Sequence, residues 1–283
     1  MDFLEFWLFN KAKLDERINR FIDSIKDWEV LEMSKYILKD GKRYRGVLLL
    51  YFNQILGGDP EQAYDASVAV EILHSASLAL DDIVDYDLYR RGEKAAWAVF
   101  TNRKVIYVTN FLIPTALNMI SRYGKKALDL SINLWRDTAI GALKDTYGSF
   151  DEYISTVEMK TGSLFKLSTM LAAFTSNRDN LYEAMLDVGK DLGIIYQLVD
   201  DYVDYVKYML GSLQNLSGSA LQLYNLARDD VRSYVIKNIE IYKTEYLNIL
   251  NKIDITEKYL PDLKSIPDVL IAGLLKESGI DKI

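Results

Sequence analysis

The sequence contains no cysteine and a single histidine, His74. The absence of cysteine excludes disulfides, thiol nucleophiles, thiolate-bound zinc and iron–sulfur clusters. One histidine also excludes a zinc site built from several imidazoles, and any serine-type triad would have to pass through His74. The reactive groups of this protein therefore have to be sought among its carboxylates, lysines and arginines.

Basic residues are in the minority, since 34 Lys and Arg stand against 41 Asp and Glu, a net charge of -7. A field of that sign repels phosphate backbones, so nucleic acid is not an expected partner. The charge does not exclude small anionic substrates, because bound metal ions can reverse the local field.

Long hydrophobic runs are also missing. The best candidate, residues 66–80, contains Glu71 and His74 and falls short of the roughly 18 residues that a membrane span needs. The first residues, MDFLEFWLFNKAKLDERI, carry early acids and no basic segment, which is not the pattern of a secretory signal. We therefore expect no membrane span and a cytoplasmic location.

Proline occurs four times, at positions 60, 114, 261 and 267, so the strongest helix breaker is almost absent from most of the chain. Apolar and small residues recur with helical spacing, as at Val68, Ile72 and Ser75, and no strand-like alternation is bounded by turn residues. Breaks near glycines divide the chain into about ten helices, and none is a flexible linker. The sequence predicts an all-α protein with residues 1–283 in one domain. The longest predicted helices cover 61–88, 124–147, 151–174 and 181–206.

Two aspartate clusters stand late in two of these helices. Each has the pattern Asp-Asp-x-x-Asp, at 81–85 and at 200–204, so its first and last carboxylates lie on one helix face, one turn apart. Like charges at that spacing repel, whereas carboxylate oxygens suit Mg²⁺, which takes other ligands from water and substrate phosphates. A charge cluster is by default a solvated face. Both clusters follow strongly apolar segments, 77–80 and 193–199, which favours carboxylates at the mouth of an apolar cavity.

Compact basic groups beside glycine accompany the two clusters, with GKRYRG at 41–46, RRG at 90–92 and KTG at 160–162. Arginine offers a planar fork for phosphate oxygens, and lysine offers a point charge. Each group by itself is more often part of a surface salt bridge. Together with two acidic clusters, they predict a site for a metal-bound polyphosphate and a second, metal-free phosphate.

Between residues 41 and 204 the segments GKRYRG, EILHSASLALDDIVDYDLYRRG, KTGSLFKLS and GIIYQLVDDYVD follow one another. In order and spacing they resemble the motifs of the trans-isoprenyl diphosphate synthase (polyprenyl synthetase) family, and within it the archaeal hexaprenyl-forming group. The resemblance implies an isoprenoid-synthase helical bundle around a central cavity, assembled as a homodimer, with the two clusters facing each other across the cavity.

Three sets of residues match functional positions of that family. The resemblance implies that three Mg²⁺ ions bind with substrate to Asp81, Asp85 and Asp200, supported by Asp82, Asp201 and Asp204. The allylic diphosphate would contact Arg90, Lys160, Thr161 and Gln197. Isopentenyl diphosphate would be bound by Lys42, Arg45, His74 and Arg91. The candidates for a catalytic role are Asp81, Asp85, Asp200, Lys160 and Arg90.

His74 by itself would be interpreted as a satisfied core histidine. Its place seven residues before Asp81, as in the family motif, favours a role in binding. The implied reaction is ionisation, condensation and elimination: Mg²⁺ and basic groups stabilise the departing diphosphate, and isopentenyl diphosphate attacks the allylic cation. A proton is then lost to diphosphate, while an apolar cavity keeps water from the cation.

The sequence departs from the family after the second cluster. The family carries a segment rich in glycine and lysine there, whereas this chain has YVKYMLGSL at 205–213, with Lys207 as the nearby lysine. This departure leaves open a weakly active subunit of a heteromeric prenyltransferase, although such a subunit would be expected to have damaged aspartate clusters.

The residues one turn before Asp81 are small, Ala76 and Ser77. Bulky aromatics at these positions block the product tunnel in the family, so small residues imply a product longer than C20, about C30, with Trp135 and Leu164 as candidates for the tunnel floor. Tight helix packing would also select Ala and Ser. The alternatives are a shorter-chain C15 or C20 synthase, a helical scaffold, and a terpene cyclase, which has no need for a site that binds isopentenyl diphosphate.

Overall fold

Helices make up nearly all of the protein in the computed structural model, which describes residues 3–228, 230–253, 255 and 259–283. The predicted all-α class is confirmed. The helices are α1 Phe3–Asp23, α2 Trp28–Leu38, α3 Tyr44–Ile55, α4 Pro60–Val84, α5 Ala96–Phe100, α6 Asn102–Ile120, α7 Lys125–Tyr147, α8 Tyr153–Val157, α9 Ser163–Thr175, α10 Tyr182–Met209, α11 Gly218–Leu226, α12 Val231–Leu250 and α13 Leu260–Ser278.

A two-stranded hairpin follows the first aspartate cluster. Strands β1 (Tyr89–Arg90) and β2 (Glu93–Lys94) pair antiparallel around the turn Arg91-Gly92. Both turn residues have positive φ, 54° at Arg91 and 78° at Gly92, as a two-residue hairpin turn requires. Holding a non-glycine residue in this region costs energy, and such strain is found at functional sites.

Two predicted helices differ from the observed ones. The helix predicted over 61–88 ends at Val84, where Asp85 is the C-terminal cap. The helix predicted over 151–174 is interrupted, because a π-helical turn, Glu158–Gly162, lies between α8 and α9. Helical periodicity does not distinguish one inserted residue within a turn, which is why the sequence pattern missed the interruption.

Helix α3 lies at the centre of the main core. Eleven of its twelve residues are buried, and it packs on α4, α9 and α1. Helix α10 packs against α9 and α12 and carries a second apolar cluster. Among the described helices, none has both the length and the hydrophobicity that crossing a bilayer requires.

Candidate active site

A cavity of about 360 Å³ collects most of the residues that the sequence predicted for the site. Its walls come from the start of α3, the C-terminal half of α4, the hairpin, the π-helical turn and α10. The predicted residues that line it are Lys42, Arg45, His74, Ser77, Asp81, Asp85, Arg90, Arg91, Lys160, Thr161, Leu164, Gln197 and Asp200.

The first aspartate cluster lies at the C-terminal end of α4. At the other end of this helix, Asp59 is the N-cap and accepts a hydrogen bond from the Glu61 amide. Asp81 and Asp85 line the cavity. Burial raises the pKa of the Asp81 carboxyl, and the neighbouring Asp85 raises it further. Asp82 instead turns away and accepts a 2.5 Å hydrogen bond from Arg90 Nε.

The second cluster divides in the same way. Asp200 lines the cavity, and burial together with the charge of Asp204 raises the pKa of its carboxyl. Asp201 is buried and accepts hydrogen bonds from the Tyr153 hydroxyl at 2.8 Å and the Gln197 amide at 2.9 Å. Burial raises the pKa of Asp201 to about 7. Asp204 is outside the cavity lining, and its carboxylate lies 3.6 Å from Lys207 Nζ.

The carboxylates that face the cavity suit Mg²⁺ by their chemistry. Asp81, Asp85 and Asp200 present hard oxygen ligands, and their raised pKa values show that the protein alone stabilises these charges poorly. Within the described residues, no three acidic or histidine side chains converge closely enough to enclose one ion. In phosphate-binding sites, Mg²⁺ commonly takes several of its ligands from water and substrate phosphates.

Lys160 is held between two helices. Its Nζ lies 2.7 Å from Asp145 Oδ2 and 3.9 Å from Asp81 Oδ2. The lysine belongs to the π-helical turn, which packs so closely on α7 that a Cβ at Gly141 would lie 2.2 Å from the Lys160 backbone nitrogen. Asp145, one turn after Gly141 on α7, was not predicted. A glycine inside a helix marks such a close approach and was the available signal.

Gln197 is the centre of a polar network beside Lys160. Its Oε1 accepts a 2.6 Å hydrogen bond from the Thr161 hydroxyl, and its Nε2 donates to Asp201 and lies 3.4 Å from Asp200 Oδ2. The sequence placed Gln197 and Thr161 together at the site. It did not indicate Ser219, whose hydroxyl donates to the same Asp201 carboxylate at 2.8 Å.

Arg45 is a buried cation with spare donors. Its Nη1 lies 3.1 Å from His74 Nε2, and its guanidinium lies over the Phe165 ring at 4.6 Å. Among the described residues, none accepts a hydrogen bond from Arg45 Nε. Burial and the adjacent Arg45 charge lower the pKa of His74 well below its usual value. Because a guanidinium can only donate, His74 Nε2 is the acceptor in its contact with Arg45.

The remaining predicted cations lie at the rim of the cavity. Lys42 Nζ forms an ion pair with Glu277 of α13. Arg91 donates from Nη1 to the Lys39 carbonyl at 3.1 Å, and its position in the strained hairpin turn directs the hairpin towards α2. The charge of Arg91 acts on Arg45, and the charge of Lys42 acts on Asp200.

A second cavity, also of about 360 Å³ and mainly apolar, adjoins the first. The two share Ser77, Asp81, Asp85 and Lys160 as lining residues. Trp135, a candidate for the tunnel floor, lines the apolar cavity. Ala76 is fully buried and outside the lining, and Leu164 lines the polar cavity instead.

This architecture, a bundle of α-helices with two aspartate-bearing helix ends at one cavity, defines the protein as an isoprenoid-synthase type of helical enzyme. Residues 28–211 match the polyprenyl synthetase family model. The chain belongs to that family. Its members are Mg²⁺-dependent prenyltransferases, and this chain is a prenyltransferase.

The chain is 51% identical to the hexaprenyl pyrophosphate synthase of Saccharolobus solfataricus, and the match covers 100% of both chains. It is 29% identical to the geranylfarnesyl diphosphate synthase of Methanosarcina mazei over 80% of this chain and 79% of that one. Among solved structures, it is similar to a geranyltranstransferase from Methanosarcina mazei, with a TM-score of 0.77 and 26% identity over 93% of this chain and 96% of that one.

Proposed function

We propose that this enzyme condenses isopentenyl diphosphate with an allylic diphosphate to form an all-trans polyprenyl diphosphate of about C30. The observation that carries the proposal is the junction of the two cavities at Asp81, Asp85 and Lys160. A diphosphate can lie among the charges while its hydrocarbon tail lies in the adjoining apolar space. The similarity to a hexaprenyl pyrophosphate synthase over the whole chain supports the length of the product.

The allylic diphosphate would lie between the two aspartate clusters. Asp81, Asp85 and Asp200 would hold Mg²⁺, three ions with substrate bound, and the ions would supply positive charge for the departing diphosphate. Lys160 adds a fixed positive charge there because Asp145 orients its ammonium group. Thr161 and Gln197 orient the same diphosphate from the α10 side.

Three carboxyl groups have supporting roles in this proposal. Asp82 holds Arg90 at the rim, where the guanidinium faces the cavity. Asp201 holds Gln197, and Asp204 pairs with Lys207 near the entrance. These side chains would set the positions of the groups that touch the substrate or the ions.

Isopentenyl diphosphate would bind in the polar cavity at the wall lined by Lys42, Arg45 and Arg91. Arg45, with its unpaired Nε, supplies a buried cation, and Lys42 and Arg91 supply charges at the rim. The C3–C4 double bond would then attack the allylic cation, and the released diphosphate would take the proton that is lost. Apolar walls around the cation keep water away.

Small side chains on α4 support a product of medium length. Ser77 lines the junction of the two cavities, and Trp135 faces it from α7, so the tail has room to pass Ser77 before it meets a bulky side chain. A C15 or C20 product is the alternative that a blocked junction would favour. The absence of the family's lysine-rich segment after residue 204 keeps a weakly active subunit as the second alternative.

We infer further that the chain works as a homodimer. Helices α6 and α7 leave several large apolar side chains exposed, and the apolar cavity opens onto the same region through Leu143 and Tyr147. A partner on this surface would complete the cavity wall. The exposed apolar side chains of α6 and α7 are Ile106, Tyr107, Phe111, Ile132, Ile140, Leu143 and Tyr147.

We place the reaction in the cytoplasm, since charged diphosphate substrates do not pass through bilayers unaided.

The test is incubation of the purified protein with labelled isopentenyl diphosphate, Mg²⁺ and allylic primers of C5 to C20, followed by chromatographic sizing of the products. We expect Mg²⁺-dependent products centred at about C30. Products that stop at C20 would support the shorter-chain alternative. Absence of any product with every primer would overturn the proposal, and activity restored by a second polypeptide would identify a heteromeric subunit.

A further inference from the structure

The segment after the second aspartate cluster reaches the site through a serine. Helix α11 starts at Gly218, after the turn that ends α10, and its second residue, Ser219, is buried. Ser219 donates hydrogen bonds in two directions, one from its backbone amide and one from its hydroxyl. Both acceptors are buried carboxylates of other helices, so the start of α11 is anchored between α7 and α10.

The backbone amide of Ser219 holds the lysine side of the site. It donates to Asp145 Oδ1 at 2.7 Å, while Asp145 Oδ2 accepts from Lys160 Nζ at 2.7 Å. Gly218 permits this approach, because its φ is +53° and a Cβ there would lie 2.5 Å from Asp145 Oδ2. The amide at a helix N-terminus stabilises a carboxylate, so this contact holds the Asp145 carboxylate directed at Lys160.

The Ser219 hydroxyl holds the glutamine side. It donates to Asp201 Oδ1 at 2.8 Å, the same oxygen that accepts from Gln197 Nε2 at 2.9 Å. Gln197 in turn accepts from Thr161 at 2.6 Å. Tyr224 of α11 stacks on Tyr205 of α10 with ring centroids 6.1 Å apart, which fixes α11 against the helix of the second cluster.

We propose that Ser219 is a positioning residue for the allylic substrate, joining the Lys160–Asp145 pair to the Gln197–Asp201 pair. The inference rests on the proposed function, since it assumes that Lys160 and Gln197 contact the allylic diphosphate. The hydroxyl orients Gln197 through Asp201, and the amide orients Lys160 through Asp145. Neither contact reaches Arg45 or His74, so binding of isopentenyl diphosphate does not depend on Ser219.

The experiment compares Ser219→Ala, Ser219→Thr and the control Ser217→Ala with the unmodified enzyme. Ser217 precedes α11, is exposed and makes no side-chain capping hydrogen bond. In Ser219→Ala we expect kcat/KM for the allylic primer to fall about tenfold, the effect of one buried hydrogen bond to a charged group. The KM for isopentenyl diphosphate should stay within twofold of the original value. Ser219→Thr should restore most of the activity, and Ser217→Ala should match the unmodified enzyme.

A second measurement separates positioning from a general loss of structure. Because Ser219 would act through Gln197, Ser219→Ala should have less than a twofold effect in a Gln197→Ala background. Calorimetry with an unreactive allylic thiodiphosphate and Mg²⁺ should show weaker binding of the thiodiphosphate by Ser219→Ala. Ser217→Ala should bind it as tightly as the unmodified enzyme does.

An equal fall in kcat/KM for both substrates would show that Ser219 has a structural role only. A full tenfold fall in kcat/KM when Ser219→Ala is added to the Gln197→Ala background would show the same. Unchanged kinetics and unchanged thiodiphosphate binding in Ser219→Ala would also overturn the inference. If the unmodified enzyme forms no product, the proposed function itself fails, so the two failures are distinguishable. Circular-dichroism melting of each variant identifies any that is unfolded. If Ser219→Ala is unfolded, thiodiphosphate binding by Ser219→Thr is measured instead. Normal binding by Ser219→Thr supports the inference, and weakened binding contradicts it.

Discussion

Neighbouring aspartates within each cluster have different surroundings. Asp81 and Asp200 face the cavity with few hydrogen-bond donors near them, whereas Asp82 and Asp201 are buried against Arg90 and Gln197. A carboxylate without nearby donors is stabilised by a cation, and one with several donors orients the groups that bind it. The same residue type therefore serves binding at one position and positioning at the next.

Removing a cavity-facing carboxylate should abolish the reaction. Asp81→Ala and Asp200→Ala should each lower kcat by about a thousandfold or more, because the charge that stabilises the departing diphosphate is lost with its ligand. The measurement is product formation at saturating Mg²⁺. Asp129→Ala is the matched control, since Asp129 is exposed on α7 and pairs with Lys125. Retained synthesis in either cluster variant would contradict the metal assignment.

Asp191 of α10 is a buried carboxylate outside the active site. Its two oxygens accept no hydrogen bond from the described residues, and Lys190 Nζ lies 3.4 Å away. Burial raises the pKa of Asp191 to about 7, and the nearby Glu245 also raises it. The folded protein therefore binds a proton at Asp191 more tightly than the unfolded chain does, whose ordinary carboxyl pKa is 3.8.

The raised pKa of Asp191 gives stability a specific pH dependence. Since the folded state binds the extra proton, the free energy of unfolding should decrease as the pH rises from about 4 to about 7. Asp191→Asn removes the ionisation and should raise stability at pH 8 by about 1–3 kcal/mol, with little effect at pH 4. Urea unfolding at both pH values measures this difference. A variant that is less stable than the parent at pH 8 would contradict the assignment.

At the scale of elements, α4 and α7 enclose the apolar cavity between them. Ser77 and Leu80 face it from α4, and Trp135, Ala139 and Leu143 face it from α7. The two helices are linked to the polar site by Lys160, which contacts a carboxylate of each. Under the proposed function, product length would depend on the spacing between these two helices and on the side chains that fill it.

A bulky side chain at the junction should shorten the product. Ser77→Phe narrows the passage between the cavities and should limit products to C20 or less, while Trp135→Ala removes a wall of the cavity and should lengthen them. Sizing of products from one primer measures both effects. Trp28→Ala is the control, because Trp28 is 72% exposed on α2. Ala76→Tyr should also shorten the product if the tail passes that turn of α4. Unchanged lengths in Ser77→Phe and Trp135→Ala would remove the apolar cavity as the tail site.

At the scale of the whole molecule, the surface of α6 and α7 differs from that of α1. Apolar side chains are exposed on both adjacent helices, α6 and α7, and one edge of that region is the mouth of the apolar cavity. Helix α1 exposes Leu4, Leu8 and Phe9, and none of the three lines the apolar cavity. The first surface is therefore the better candidate for contact with a second copy.

If the proposed homodimer forms through the α6–α7 surface, charges placed there should separate it. Phe111→Glu combined with Ile140→Glu should give a monomer in sedimentation velocity, because two carboxylates per subunit would be buried without partners. Leu8→Glu on α1 is the matched control and should leave the dimer intact. A double variant that sediments like the unmodified protein would show that another surface mediates assembly.

Local patterns predicted much of this site. The two clusters, the arginines after the first one and the Lys160-Thr161-Gly162 turn are each contained in a few residues, so spacing along one helix was enough to indicate them. Asp145 and Ser219 were missed because their contact joins residues 74 positions apart. The interruption between α8 and α9 was missed because an inserted residue barely changes the apolar period.

The chain by itself determined the helical class, the two aspartate clusters late in helices and the lack of thiol groups and of zinc sites built from cysteines or several histidines, because composition and the period of 3.6 residues are local properties. Tertiary structure decided which carboxylates meet the cavity, where the apolar space opens, and that Ser219 contacts both halves of the site. These outcomes depend on how helices pack, and packing sets the burial and hydrogen-bond partners of each side chain.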